Sequence, residues 1–200
     1  MPVVLWAIFG LCLLPELVLT GADLGLWGTA QWRTIAWSNA GFWAGLLHDW
    51  HPNYRLQPVA MFATYGFLHA GPMHFLLNIL TLFSVGTPIV ERIGSPRFLV
   101  VYAASLIGGA AGFAALSDIA APMVGASGAL FGLIGAWIAW DYRARRRANA
   151  PVAPVARSLI WLLALNLLLW WAMNGHLAWQ THLGGFVAGW VAGLWLDRRS

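Results

Sequence analysis

Four polar side chains stand in apolar stretches of the sequence, where a polar group is costly and therefore indicates function. His74 and Asn78 occur in the run HAGPMHFLLN, Ser127 occurs in GASG, and His182 occurs in THLGG. A serine and a neutral histidine together can perform nucleophilic acyl transfer. The imidazole takes the hydroxyl proton as the oxygen attacks a carbonyl, and it later protonates the leaving amine.

Attack on a carbonyl develops negative charge on its oxygen, and that charge needs hydrogen-bond donors. The sequence offers three donors: the main-chain N–H of Ser127 at a helix N-terminus, the amide of Asn78 and the ring of His74. We expect no carboxylate at the depth of His182, so a dyad is favoured over a triad. The alternatives are structural, with GASG as a helix-packing motif, His182 as a hydrogen-bonded or proton-path residue, and Asn78 as a bridge between helices.

The composition indicates that these residues belong to a membrane protein. Of the 200 residues, 60% are hydrophobic and 9% are charged, whereas soluble domains average about 25% charged residues. The arginines lie between apolar runs rather than in one stripe, which argues against nucleic acid as a partner. We also expect no cofactor and no metal, because no nucleotide-binding loop or metal-ligand cluster is visible, and His48, Asp49 and His51 have the pattern of an exposed polar turn.

Six apolar runs, each bounded by a charge, a proline or a glycine, predict an all-α membrane protein with six transmembrane helices. The runs cover residues 3–20, 72–90, 98–116, 127–140, 157–173 and 179–196. We expect one integral membrane domain over residues 1–200. The fourth run is only about 21 Å long as a helix, so its outer end should begin below the membrane surface.

The arginines predict the orientation of this bundle. Nine of them lie after the second, fourth and sixth runs or at the start of the third and fifth, and only Arg33 and Arg55 lie on the opposite side. The positive-inside rule then predicts a multi-pass protein of the cell membrane with both termini in the cytoplasm. The outer segment, residues 21–71, carries five tryptophans and should form short helices at the membrane interface.

Depth and packing bring the polar residues together in this arrangement. Ser127, Asn78 and His182 each lie about 20–22 Å from the acidic residue at the inner end of their span. Glycines repeat every four residues on the fourth and sixth spans and predict close packing there. They are Gly128 and Gly132 on the fourth span, and Gly185, Gly189 and Gly193 on the sixth.

Taken together, the motifs resemble those of the rhomboid family of intramembrane serine proteases over about residues 57–196. HAGPMHFLLN resembles the family's HxxxxHxxxN, GASG resembles its GxSG, and His182 with Gly185 and Gly189 resembles its HxxGxxxG. The run ERIGS, which begins at Glu91, is similar to a loop motif that follows the family's second helix, although it is one residue shorter.

The resemblance implies a six-helix rhomboid-like bundle with a water-filled cavity open to the outside. It implies Ser127 as the nucleophile, His182 as the base, and Asn78, His74 and the Ser127 amide as oxyanion donors. The substrates would be transmembrane proteins in the lipid bilayer, cut near the outer ends of their helices.

The sequence departs from the family pattern at several positions. Phe131 stands where a tyrosine often supports the histidine, and Thr181 replaces a common small alanine. The Trp32–Arg33 pair is similar to a family motif but lies farther from His74 than usual, and we assign it no role. Glu16 is expected at the outer interface.

Two other functions fit parts of the sequence. The first is a catalytically inactive rhomboid-like protein that binds membrane helices, against which the joint presence of Ser127, His182 and Asn78 argues. The second is a small transporter that uses His74 and His182, although no inverted repeat is visible. We also expect His69 to brace the outer segment by hydrogen bonding.

Overall fold

The computed structural model describes residues 2–197 and contains eight α-helices in that part of the chain. They are α1 (Val3–Asp23), α2 (Gln31–Ala40), α3 (Gln57–Thr64), α4 (Pro72–Ile93), α5 (Ser95–Leu116), α6 (Ser127–Arg147), α7 (Ala153–Ala172) and α8 (Trp179–Leu196). No strand occurs among these residues beyond an isolated bridge between Phe42 and Met123. The prediction of an all-helical membrane protein is confirmed.

Each of the six predicted apolar runs corresponds to one long helix, but only some of these helices are apolar throughout. Among the described residues, α1, α4, α5 and α7 are long and apolar enough to cross a membrane. α6 is less apolar because it continues past the predicted end at Trp140, where Asp141 pairs with Arg145 one turn later. α8 is less apolar because it begins with Gln180, Thr181 and His182.

α8 packs tightly against α6 along the predicted glycine positions. A Cβ atom at Gly185 would overlap the main-chain oxygen of Gly128, and one at Gly189 would overlap that of Gly132. The two backbones therefore touch, which only glycine permits at these positions. The close packing expected from the glycine repeats is present.

α8 also packs against α5 through a second set of small residues that the sequence analysis did not single out. A Cβ atom at Gly112 would lie 2.8 Å from the Cα atom of Gly184 and 2.7 Å from the main-chain oxygen of Gln180. Small residues on two faces let α8 lie between α5 and α6. The helix that carries His182 is thus fixed from both sides.

Ion pairs join the helices at the end of the bundle opposite Ser127. Asp197 follows α8 and lies 3.1 Å from Arg92 of α4 and 3.7 Å from Arg143 of α6. The guanidinium of Arg92 also lies 4.5 Å from the ring centre of Trp140. Ion pairs therefore link the C-terminal ends of α4, α6 and α8. Arg198 and Arg199, which enter the predicted orientation, lie outside the described residues.

α7 is the least packed of the long helices. Val155 is its single buried residue within the described chain, while Trp161 and Trp171 are more than 70% exposed. A surface this apolar suits contact with lipid rather than water. α7 therefore presents most of its circumference to the surroundings of the bundle.

The outer segment folds into α2 and α3, in agreement with the predicted short helices, and Arg33 attaches it to the bundle. The side chain of Arg33 donates to both carboxylate oxygens of Glu16 at 3.1 Å, to Asp23 at 2.6 Å and to the main-chain oxygen of His69 at 2.9 Å. Burial lowers the pKa of Arg33, but its hydrogen bonds and charge interactions with Glu16 and Asp23 outweigh that effect and raise the pKa above its ordinary value.

This cluster decides the roles of Glu16, Arg33 and His69. Glu16 is only 4% exposed and paired with Arg33, so it is not an interfacial side chain. Arg33, to which we assigned no role, links α1, α2 and the loop before α4. His69 does brace this region, but through its carbonyl oxygen, which accepts from Arg33, rather than through its ring.

Candidate active site

Ser127 is the first residue of α6, directly after a strained turn. Gly125 has φ of +123°, a conformation that side chains with a Cβ rarely adopt, and its N–H donates to the main-chain oxygen of Tyr65 at 2.9 Å. A Cβ atom at Gly125 would lie 2.7 Å from Cε1 of His74. Glycine is thus needed here both for the turn and for the close approach of the His74 ring.

Ser127 and His182 are in direct contact. The Oγ atom of Ser127 lies 3.0 Å from Nε2 of His182, and the histidine is only 4% exposed. The contact joins the first turn of α6 to the first turn of α8, where glycines allow the two backbones to touch. A hydroxyl and an imidazole nitrogen at this distance have the geometry needed for proton transfer between them.

Phe131 lies against the face of the His182 ring. The two ring centres are 4.0 Å apart and the ring planes differ by 5°. Phe131 is one turn after Ser127 on α6, so the same helix supplies the hydroxyl and the stacked ring. The aromatic contact expected for this position is therefore made without the hydroxyl of a tyrosine.

Asn166 contacts the other nitrogen of His182 and was missed in the sequence analysis. Its Oδ1 atom lies 2.7 Å from Nδ1 of His182. The expectation of a dyad considers only carboxylates as groups able to orient the histidine, whereas an amide oxygen can accept the same hydrogen bond. The available signal was a polar residue inside the apolar run of α7, which is the signal that singled out Asn78.

His74 and Asn78 lie together at the start of α4. Asn78 is 5% exposed and donates one Nδ2 hydrogen to the main-chain oxygen of His74 at 2.9 Å. The N–H of Ala70 donates to Nδ1 of His74 at 3.3 Å, so a neutral His74 carries its proton on Nε2. A Cβ atom at Gly125 would lie 2.9 Å from that Nε2, which places this nitrogen beside the turn before Ser127.

His69 lies behind His74 with its ring fully buried. Its ring meets those of His74 and Phe75 edge-on at 5.2 and 5.5 Å between centres. Burial lowers the pKa of His69 to about 3, and the nearby charges of His74 and Arg33 act in the same direction. The ring of His69 is therefore neutral near pH 7.

Thr181, the other departure from the family pattern, is 1% exposed and fills space between helices. A Cβ atom at Gly128 would lie 2.7 Å from its methyl carbon, and one at Gly109 would lie 3.1 Å from it. Its methyl group therefore occupies the junction of α5, α6 and α8. In residues 2–197, no group of three or more potential ligands is placed to hold a metal ion.

The fold and site describe a helical membrane protein with a hydrogen-bonded serine and histidine inside its bundle. The family model described as "Rhomboid domain" matches residues 57–199. The chain belongs to the rhomboid family.

Several relatives are similar over most of that region. RHOMBOID-like protein 1 of Arabidopsis thaliana is 35% identical over 63% of this chain and 31% of its own length. Rhomboid protease GluP of Bacillus subtilis is 34% identical over 62% of this chain and 24% of its own length. The putative rhomboid protease YdcA of the same organism is 32% identical over 62% of this chain and 60% of its own length. The chain thus spans less than two thirds of each of these relatives.

Proposed function

We propose that this protein is an intramembrane serine endopeptidase that cleaves transmembrane helices near their outer ends. The observation that carries the proposal is the 3.0 Å contact between Ser127 Oγ and His182 Nε2 inside a membrane protein of the rhomboid family. Family membership alone is compatible with helix binding without catalysis. A hydroxyl paired with an imidazole is the arrangement that acyl transfer requires.

In the proposed reaction, His182 accepts the Ser127 proton while Oγ forms a bond to the carbonyl carbon of the substrate. The tetrahedral intermediate collapses when His182 gives that proton to the amide nitrogen, and the C–N bond breaks. An ester of Ser127 remains. A water molecule, deprotonated by His182, then attacks the ester, and the proton returns to Ser127 as the acid product leaves.

Three donors are proposed to hold the oxyanion. They are the N–H of Ser127 at the N-terminus of α6, the second Nδ2 hydrogen of Asn78, and the Nε2 hydrogen of His74. Support comes from the hydrogen bonds described above, which leave one amide hydrogen of Asn78 and the Nε2 hydrogen of His74 for a ligand.

We further propose a single domain over residues 1–200 in the cell membrane, with six spans and both termini in the cytoplasm. The six spans would be the four apolar helices together with α6 and α8. A helix that is enclosed by other helices meets little lipid and can therefore be less apolar. The arginines around Asp197 would mark the cytoplasmic end. The substrate helix must unwind before its carbonyls are accessible, so glycine, alanine, serine or proline near the cut should favour cleavage.

The test uses purified protein in liposomes with a transmembrane substrate, together with fluorophosphonate labelling of the reactive serine. We expect Ser127→Ala and His182→Ala to lose both cleavage and labelling while remaining folded. Ser158→Ala, which changes an exposed serine on α7, should behave like the wild type. Cleavage by purified Ser127→Ala would refute the proposal. A folded wild type that is not labelled would favour the helix-binding function.

A further inference from the structure

We propose that Asn166 is a positioning residue that holds His182 in one tautomer and one ring orientation, with the lone pair of Nε2 facing Ser127. The placement of the proton follows from hydrogen-bond chemistry alone, while its catalytic consequence rests on the proposed function. The group is an amide on α7, and it would complete a serine–histidine–asparagine chain of hydrogen bonds.

The Oδ1 atom of Asn166 has lone pairs and no hydrogen. At 2.7 Å from Nδ1 of His182 it can only accept, so Nδ1 must carry a proton. A neutral imidazole has one such proton, and Nε2 is therefore left with its lone pair. That lone pair lies 3.0 Å from Ser127 Oγ and accepts the hydroxyl hydrogen.

Stacking alone does not select this arrangement. Phe131 lies parallel to the His182 ring and fixes its plane. A half-turn of the ring about its Cβ–Cγ bond would leave it in the same plane and equally well stacked. Such a turn would exchange the nitrogen and carbon positions that face Ser127. Asn166 contacts the edge of the ring and so distinguishes the two orientations, which Phe131 cannot do.

The location of Asn166 supports a role at the histidine. It is half-buried in the apolar part of α7, whose two exposed polar residues, Arg157 and Ser158, lie near the start of the helix. A polar group in such a helix is costly unless it is paired, and the partner that pairs it is the nitrogen opposite the one that contacts Ser127. A residue that only joined α7 to the bundle would not need to meet that nitrogen.

The first experiment determines the tautomer directly. Purified protein with ¹⁵N-labelled histidine is studied by NMR in detergent, and the His182 signals are assigned by their loss in His182→Gln. We expect the wild type to show a single neutral form protonated on Nδ1. Asn166→Leu, which removes the acceptor at similar volume, should show a mixture of both neutral tautomers. An unchanged single tautomer in Asn166→Leu would overturn the proposal.

The second experiment measures the rate of fluorophosphonate labelling as a function of pH. Asn166→Leu should lower the rate constant about 10–100-fold, by analogy with the cost of removing a group that orients a metal-ligating histidine. Asn166→Asp keeps the acceptor and adds a negative charge that favours imidazolium, so its acid limb should move to higher pH. Leu168→Ala, an exposed change on the same helix, should match the wild type.

The two experiments separate the possible failures. A wild type that is never labelled would refute the proposed protease, while the NMR result would still decide whether Asn166 sets the tautomer. If Asn166→Leu does not fold, the smaller change Asn166→Ala takes its place in both experiments, and an unchanged single tautomer in Asn166→Ala would overturn the proposal. An unshifted profile in Asn166→Asp would overturn the proposal.

Discussion

The glycine-lined contact between α6 and α8 and the polar attachments of α7 and the outer segment hold the molecule together in opposite ways. Along α6 and α8, backbone meets backbone and side chains are excluded. α7 and the outer segment are instead each attached through a polar side chain, Asn166 on α7 and Arg33 on α2, although the outer segment also buries Phe42, Met61 and Tyr65 in the core. The backbones of α6 and α8, which carry Ser127 and His182, are therefore held by steric fit, whereas α7 and the outer segment are attached through polar side chains. Substitutions in the two regions should therefore fail for different reasons.

The largest effect is expected from Gly185→Leu, because its Cβ atom would overlap the main-chain oxygen of Gly128 and neither backbone can move away. Overpacking that neighbouring groups can relieve by shifting costs about 1–3 kcal/mol, occasionally more, and because relief here would require α6 and α8 to separate, we expect a larger loss than in any variant below. We expect loss of folded protein by size-exclusion chromatography and thermal unfolding in detergent. Leu183→Ala, an exposed change on the same helix, is the control. Wild-type unfolding of Gly185→Leu would show that α8 is not fixed by this contact.

Arg33→Met tests the polar attachment and should have the next largest effect. It leaves the buried Glu16 carboxylate without its main partner, which typically costs about 3–5 kcal/mol. We expect a lower Tm and earlier proteolysis of the outer segment. Because the penalty comes from an unpaired charge, the double variant Arg33→Met/Glu16→Gln should recover part of the loss. A double variant less stable than Arg33→Met would contradict this explanation.

The pH dependence of stability should reflect the buried ring of His69. Its folded pKa of about 3 lies below the ordinary value of about 6.5, so the unfolded chain gains a proton first as the pH falls. The free energy of unfolding should then fall by about 2 kcal/mol between pH 7 and pH 5 from this group. His69→Phe should show a flatter dependence than the wild type in thermal unfolding. Parallel curves for the two proteins would rule out this contribution.

The smallest predicted effect concerns the stacked ring over His182. Stacked aromatic pairs contribute about 0.5–1.5 kcal/mol beyond burial, so Phe131→Leu should slow fluorophosphonate labelling up to about 10-fold. Phe131→Tyr keeps the stack and should label at nearly the wild-type rate. Equal rates for all three proteins would mean that the glycine-lined contact and Asn166 position the histidine without help from stacking.

Features that depend on periodicity along the chain were predictable. The sixth apolar run and α8 have the same bounds, residues 179–196, and the glycine repeats predicted the packing that joins Ser127 to His182. α6 is longer than predicted because the apolar run ends at Trp140, whereas the helix continues to Arg147 through residues that are mostly polar and charged.

Features that depend on one side chain meeting another across the fold were not predictable. Glu16 and Arg33 lie on different helices, and neither apolar run nor loop composition specifies their contact. Asn166 was visible as a polar residue in an apolar run. Its partner could not be predicted from residue spacing along the chain, because α7 lies on the outside of the bundle and its sequence does not indicate which of its faces meets α8. Pairings of this kind require three-dimensional coordinates.

The pairing of Asn166 also has a consequence for α7 as a whole. A helix that is apolar around nearly its full circumference has little reason to prefer one rotation about its own axis in lipid. Asn166 removes that freedom, since only one angular setting brings its amide to His182 rather than to hydrocarbon. A single side chain therefore determines which face of α7 the bilayer meets, and with it the direction in which Trp161 and Trp171 project.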